Sequence, residues 1–182
     1  SAKAVIVRRG EWPPNGLAYS ANAWNSSKNL DVHNKLREGS VETPSFLRNV
    51  SLFESLDDRE IEALAEVTIN RTFGKDGIII LAEEEGDTLF IIKKGQVKVS
   101  IVSEEGREVI LTLMGSGAVF GELSLLDGKP RSANVIATED TELIMLRRSD
   151  FVQLIYKVPQ VATALLAELA SRLRKTDRQI EG

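Results

Sequence analysis

The sequence predicts a mainly β fold with flanking helices: a closed antiparallel barrel or jelly roll followed by a long C-terminal helix. Three observations predict it. Between residues 71 and 147, apolar residues recur with period two in short runs rich in Ile, Val, Leu and Thr. Turn clusters built on Gly, Glu and Asp separate the runs closely, as a closed antiparallel fold requires. From 159 to 180 the spacing changes to alternating threes and fours, the period of a helix.

Residues 1–49 are expected to be an N-terminal extension with little regular structure. Trp12, Pro13, Pro14 and Gly16 break periodicity, and Asn15, Asn22, Asn25, Asn29 and Asn34 favour turns. Ala4–Val7 can form one short edge strand. Trp12 and Trp24 would suit an arm that docks on a neighbour, and a variable extension would look the same. Order is expected from near Pro44. Ser55 with Asp58 resembles a capping box, and Ile61, Leu64, Ala65 and Thr68 mark the inner face of a helix to about Val67.

Six strands follow: Ile78–Leu81, Leu89–Ile92, Val97–Val102, Val109–Leu113, Ala133–Ala137 and Glu142–Leu146. Ser149 is placed to cap a short helix carrying Phe151, Leu154 and Ile155. Pro159 suits the first turn of the last helix. There Leu166, Leu173 and Ile180 occupy a positions and Leu169 and Thr176 d positions of a two-heptad seam. A helix packed back on its own barrel would show a similar stripe. The expected division is 1–49 extension, 50–156 barrel with flanking helices, and 157–182 dimerisation helix.

Composition narrows the function. The 182 residues suffice for one core with appendages, and 42% hydrophobic with 27% charged residues is ordinary for a globular chain. No apolar run approaches the ~18 residues of a membrane span, and nothing at the start reads as a signal peptide, so a cytoplasmic protein without membrane contact is expected. The chain has no cysteine, which removes disulfides, thiolate zinc sites and cysteine-held clusters. Its one histidine, His33, lies in a polar stretch, which leaves a Ser-His-Asp triad or a histidine-rich metal centre without material. The formal charge of −4 and the lack of a basic run do not suit nucleic-acid binding by this chain itself.

One stretch carries chemistry: Phe120-Gly121-Glu122-Leu123-Ser124-Leu125-Leu126-Asp127-Gly128-Lys129-Pro130-Arg131-Ser132-Ala133. It interrupts the strands. Gly117 and Gly121 permit close backbone approach to a ligand. Residues 122–126 can make one helical turn whose free N–H groups bind an anion. Arg131 offers a planar, permanently charged fork for phosphate oxygens, and Ser132 a hydroxyl donor. Glu122 would repel a phosphate, and is explained if it accepts from a ribose hydroxyl and orients Arg131. An anion clamp with a sugar acceptor describes a nucleotide monophosphate. An ion pair between Glu122 and Arg131 in a barrel loop is the plainer alternative.

Gly121-Glu122-Leu123-Ser124-Leu125 and Pro130-Arg131-Ser132-Ala133 resemble the phosphate-binding cassette of cyclic nucleotide-binding domains. The order of elements from about 50 to 180 resembles the sensor half of bacterial regulators of the catabolite activator (cAMP receptor) type. The resemblance implies a jelly roll that binds cyclic AMP, or else cyclic GMP, with no enzymatic activity, cofactor or metal. It implies that Glu122 accepts from the ribose 2′-hydroxyl, Arg131 neutralises the cyclic phosphate and Ser132 donates to it. Backbone around Gly121, Leu123, Ser124 and Ser132 would complete the anion site. Ile80, Val99 and Leu111 match wall positions of the base and sugar pocket, or plain core. Thr176 resembles the threonine by which the long helix reaches adenine across a dimer, which favours cyclic AMP.

The resemblance further implies a homodimer through 160–180, with DNA bound only through a helix-turn-helix domain absent from this chain. A regulatory module of a kinase or an ion channel is the alternative, and the seam directly after the barrel argues against it. The chain departs from the family pattern at Glu83, where a glycine is common. The loop Asp127-Gly128-Lys129 is shorter by a residue than in the best-known activator.

Overall fold

The computed structural model describes residues 42–181, with side chains to 178. The expectations for Ala4–Val7, Trp12, Trp24 and His33, and for the Ile180 side chain, lie outside the described residues. Residues 42–48 form helix α1, so the stretch just before 50 is helical although the sequence reading assigned it to the extension. Its Leu47, with Val50 beyond, is buried in the core, and this isolated apolar pair is too short a pattern to reveal a helix.

A 3-10 turn (Ser51–Phe53) leads to helix α2 (Asp58–Glu66). The start of α2 differs from the sequence expectation. Asp57 is the N-cap, accepting from the Glu60 amide at 2.8 Å, while the Glu60 side chain accepts from the Asp57 amide at 2.8 Å. Asp57 and Glu60 have the three-residue spacing and the residue types of a capping box, and the Ser55–Asp58 pair sits two residues too early.

Eight strands follow: β1 (Ile69–Phe73), β2 (Ile78–Ile80), β3 (Thr88–Lys94), β4 (Gln96–Val102), β5 (Glu108–Gly115), β6 (Val119–Phe120), β7 (Asn134–Ala137) and β8 (Thr141–Arg147). Helix α3 (Glu122–Asp127) lies between β6 and β7; α4 (Arg148–Lys157) and α5 (Gln160–Glu181) close the chain. The strands form two antiparallel four-stranded sheets, ordered β1-β8-β3-β6 and β2-β7-β4-β5. All six expected strands are present, with ends moved by a few residues. The two unexpected strands are informative. β1 is an edge strand, almost wholly exposed, whose Asn70 and Arg71 hide the period. β6 has two residues, too few to carry any period.

The first sheet is a middle layer, and β3 shows it. Leu89 and Ile91 pack on one side against α1, α2, α4 and α5. Phe90 and Ile92 pack on the other, in a smaller core with Ile80, Val97, Phe120, Val135 and Leu143. β8 does the same, with Ile144 and Leu146 to the helices and Leu143 and Met145 to the barrel interior. A strand buried on both faces needs a continuous apolar run, which Leu-Phe-Ile-Ile supplies. On the helix side Phe53 and Phe151 are fully buried, each contributing about 1.5–3 kcal/mol.

The chain passes from the first sheet to the second at Gly95, between β3 and β4. Its φ of +94° belongs to the left-handed region, and a Cβ there would lie 2.6 Å from the Asp140 carbonyl oxygen. Ser149 lies inside α4 rather than capping it: Arg147 is the N-cap and no side chain caps the helix. α5 packs on its own domain through Val161, Leu165 and Leu169. The apolar stripe is thus divided. Leu169 of the expected seam faces the core, whereas Leu166 and Leu173 are 65% and 63% exposed.

Candidate functional site

α3 is short because of what bounds it. Gly121 precedes it at φ +83° and Gly128 follows at φ +69°, both left-handed turns that end a helix cheaply only as glycine. Between them Ser124 and Leu125 turn inward and Leu123 and Leu126 outward. Arg148 of α4 donates from Nε to the Leu125 carbonyl at 2.9 Å, fixing α3 to the helical layer. Glu122 begins α3 and is buried at 3% exposure, where the positive helix end favours a carboxylate.

Glu122 is paired, but not as the sequence suggested. Its Oε1 accepts from Arg172 Nη1 of α5 at 2.7 Å. The other terminal nitrogen of Arg172 donates to the Val119 carbonyl and to Glu168, one helical turn earlier on α5. One guanidinium therefore ties β6, α3 and α5 together. Burial pushes the Glu122 carboxyl above the usual carboxylate range, and the charge of Arg172 opposes this.

Arg131 is 7% exposed and makes no ion pair with Glu122 among the described residues. It is held by backbone instead. Nη1 donates to the Gly121 carbonyl and Nη2 to the Thr88 carbonyl, both at 2.7 Å. Its guanidinium carbon stands 5.8 Å from the Phe90 ring centre. Its backbone pairs with the loop before β3: the Arg131 amide donates to Glu84 O, and the Glu83 amide to Arg131 O, each at 2.8 Å. Burial lowers the Arg131 pKa from its ordinary value, and the carboxylates of Asp87 and Glu122 act against that. The expectation that Glu122 orients Arg131 is thereby corrected. Carbonyl oxygens at the ends of the neighbouring strands β3 and β6 set the fork, because they lie within reach and Glu122 is taken by Arg172.

Above these groups opens a cavity of about 720 Å³. It is lined by all ten residues singled out in the sequence: Ile80, Val99, Leu111, Gly121, Glu122, Leu123, Ser124, Arg131, Ser132 and Thr176. Leu111 is on exposed β5 and, with Leu113, faces the cavity. Gly121 lets the chain come near Arg131 and Thr88: a Cβ there would lie 2.8 Å from Arg131 Nη1 and 3.0 Å from the Thr88 carbonyl. Thr176 lines the cavity of its own chain, because α5 folds back over the barrel, and its hydroxyl donates to the Arg172 carbonyl at 3.2 Å.

Sequence reasoning assigned no site role to Glu168, Ser171, Arg172 and Lys175, which line the same cavity from α5. The charged ones looked like a solvated face. The available signal was helical spacing back from Thr176, since 172 and 168 lie four and eight residues before it.

The profile of the family described as cyclic nucleotide-binding domain matches residues 70–157. A cyclic AMP receptor protein of Thermus thermophilus is 36% identical over 135 residues, covering 74% of this chain and 62% of that protein. A crystal structure of Thermus thermophilus catabolite activator protein superposes with a TM-score of 0.65 at 37% identity, over 72% of this chain and 62% of that one. The N-terminal domain of a transcriptional regulator from Streptomyces coelicolor gives 0.59 at 35% identity, over 74% and 94%. The regulatory domain of a Toxoplasma gondii PKA crystallised with cAMP also gives 0.59, at 26% identity, over 64% and 44%. This chain spans less than two thirds of the length of the curated relatives it matches. No helix among the described residues is long and apolar enough to cross a membrane.

Proposed function

Given that the chain belongs to the cyclic nucleotide-binding domain family, we propose that it is the sensor part of a cytoplasmic transcription regulator: it binds cyclic AMP in preference to cyclic GMP and passes that event to an output domain. The observation that carries this reading is the single cavity joining two buried charges, Arg131 and Glu122, to the polar side of α5. Arg131 has five N–H donors, of which two serve carbonyls. The others are available to the cyclic phosphate, whose charge compensates a buried cation. Ser132 and the first-turn amides of α3 add donors. Glu122 keeps one carboxylate oxygen beyond Arg172 for the ribose 2′-hydroxyl. Ile80, Val99 and Leu111 supply apolar wall to base and sugar, and Thr176 contacts the adenine.

This work is binding, not catalysis, and needs no cofactor or metal. Residues 42–156, with α1 packed in the core, form the sensor and 157–182 the output helix. Nucleotide shifts a two-state equilibrium by its differential affinity, with coupling of about 1–3 kcal/mol. α5 transmits it, because Arg172 and Thr176 belong to both the cavity and the helix. The exposed Leu166 and Leu173, seven residues apart, form the contact of a homodimer. DNA binding belongs to a domain outside this sequence. Titration calorimetry with cyclic AMP and cyclic GMP side by side tests the reading. One site per chain with tighter cyclic AMP is expected; no heat with either nucleotide would overturn it. Sedimentation that gives a monomer with and without nucleotide would remove the dimer.

A further inference from the structure

We infer that Gly86, in the loop between β2 and β3 and 45 residues before Arg131 in sequence, is a positioning residue for the Arg131 guanidinium. The inference rests on the proposed phosphate role of Arg131. The guanidinium occupies a slot. Phe90 and the Thr88 carbonyl form its floor, Gly121 closes one side, and Gly86 closes the other. A Cβ on Gly86 would stand 1.8 Å from Arg131 Nε, 2.2 Å from Cζ and 2.4 Å from Nη2. These are the three atoms of the fork edge, so no side chain at 86 coexists with the arginine as seated. On the Gly121 side a Cβ would be 2.8 Å from Nη1.

The two glycines differ in a way that makes the inference testable. Gly121 has a φ of +83°, so a side chain there strains the backbone as well as filling the slot. Gly86 is outside the left-handed region. Alanine at 86 therefore costs little in backbone and reports on space alone. The loop is also tied to Arg131 by the two backbone hydrogen bonds of Glu83 and Glu84, so it cannot retreat without freeing the arginine's main chain. Glu83 is itself left-handed, at φ +67°, a conformation that costs a side-chain-bearing residue strain. The relief for a Cβ at 86 must come from the guanidinium, which then loses the Thr88 and Gly121 carbonyls.

The test is Gly86→Ala in the full chain. The Arg131 side-chain Nε–H resonance is assigned by its loss in Arg131→Ala, and cyclic AMP affinity is measured by calorimetry. The Nε resonance of the nucleotide-free Gly86→Ala protein should move, its unfolding midpoint should stay within a few degrees of wild type, and its affinity should fall at least tenfold (about 1.4 kcal/mol). An unmoved Nε resonance, or an affinity within twofold of wild type, would overturn the inference. If wild type binds neither cyclic AMP nor cyclic GMP, the functional reading falls, and the resonance alone then decides whether Gly86 seats Arg131.

Discussion

The two walls of the cavity are built in opposite ways. The wall from Gly121 to Ala133 is part of the core: Glu122, Ser124 and Leu125 are buried, and Arg131 is fixed by two carbonyls and an aromatic ring. The α5 wall is a surface helix that reaches in with long polar side chains, while Leu166, Leu173 and Thr176 remain exposed. The first wall is held by its own hydrogen bonds and packing, so it can bind a phosphate with little reorganisation. The second has few buried apolar contacts beyond Leu169, and such an element moves at low cost. In the proposed function, binding energy comes from one wall and displacement from the other. Arg172 is the joint, because among the described residues it is the α5 side chain that bonds to the buried carboxylate.

If that contrast holds, damage to the two walls has different signatures. The largest effect belongs to Arg131→Ala. A hydrogen bond to a charged group contributes roughly 1.5–3 kcal/mol, and here the phosphate also loses its countercharge, so both nucleotides should weaken by about a hundredfold or more in calorimetry. Next comes Arg172→Ala. It leaves the buried Glu122 carboxylate without its ion-pair partner. Because Arg172 is one-third exposed, we expect roughly 1–2 kcal/mol of lost stability, less than for a fully buried pair, seen as a lower urea midpoint. An unchanged midpoint would mean the two walls are not joined there. Smaller still is Thr176→Ala, which should erode the preference for cyclic AMP over cyclic GMP several-fold and leave stability unchanged. An unaltered ratio would remove Thr176 as a base contact.

The smallest effect is a pH dependence. Burial raises the Glu122 carboxyl, so the folded chain holds that proton more tightly than the unfolded chain. The stability linked to this proton is present below the ordinary value of 4.5 and is lost as pH rises through the raised folded value. Glu122→Gln has no such proton. Its unfolding midpoint relative to wild type should therefore climb as pH goes from about 4.5 toward neutral. A constant difference across that range would show that Glu122 is not the group responsible.

The same contrast explains what could be read in the sequence. The cassette is contiguous, so Gly121, Glu122 and Arg131 are visible together, and their chemistry follows from residue types at close spacing. Strands buried on both faces, β3 and β8, stand out as apolar runs. Partnership is a matter of three dimensions, and it escaped. Nothing local says that Glu122 meets Arg172, fifty residues on, or that Arg131 prefers the carbonyls of Thr88 and Gly121. The stripe on α5 was legible as apolar, but Leu169 and Leu166 differ in environment only because the helix lies on its own domain at Val161 and Leu165. Asp57 was passed over as a cap because Ser55 offered an equally ordinary cap two residues earlier.

The most direct test of the central claim is a two-by-two calorimetric titration: Arg131→Ala and Thr176→Ala, each with cyclic AMP and cyclic GMP. Arg131→Ala should lose both nucleotides by a similar factor of about a hundred or more, since it acts on the phosphate they share. Thr176→Ala should change mainly their ratio. Affinity within threefold of wild type for Arg131→Ala would contradict the assignment of the buried wall as the phosphate site.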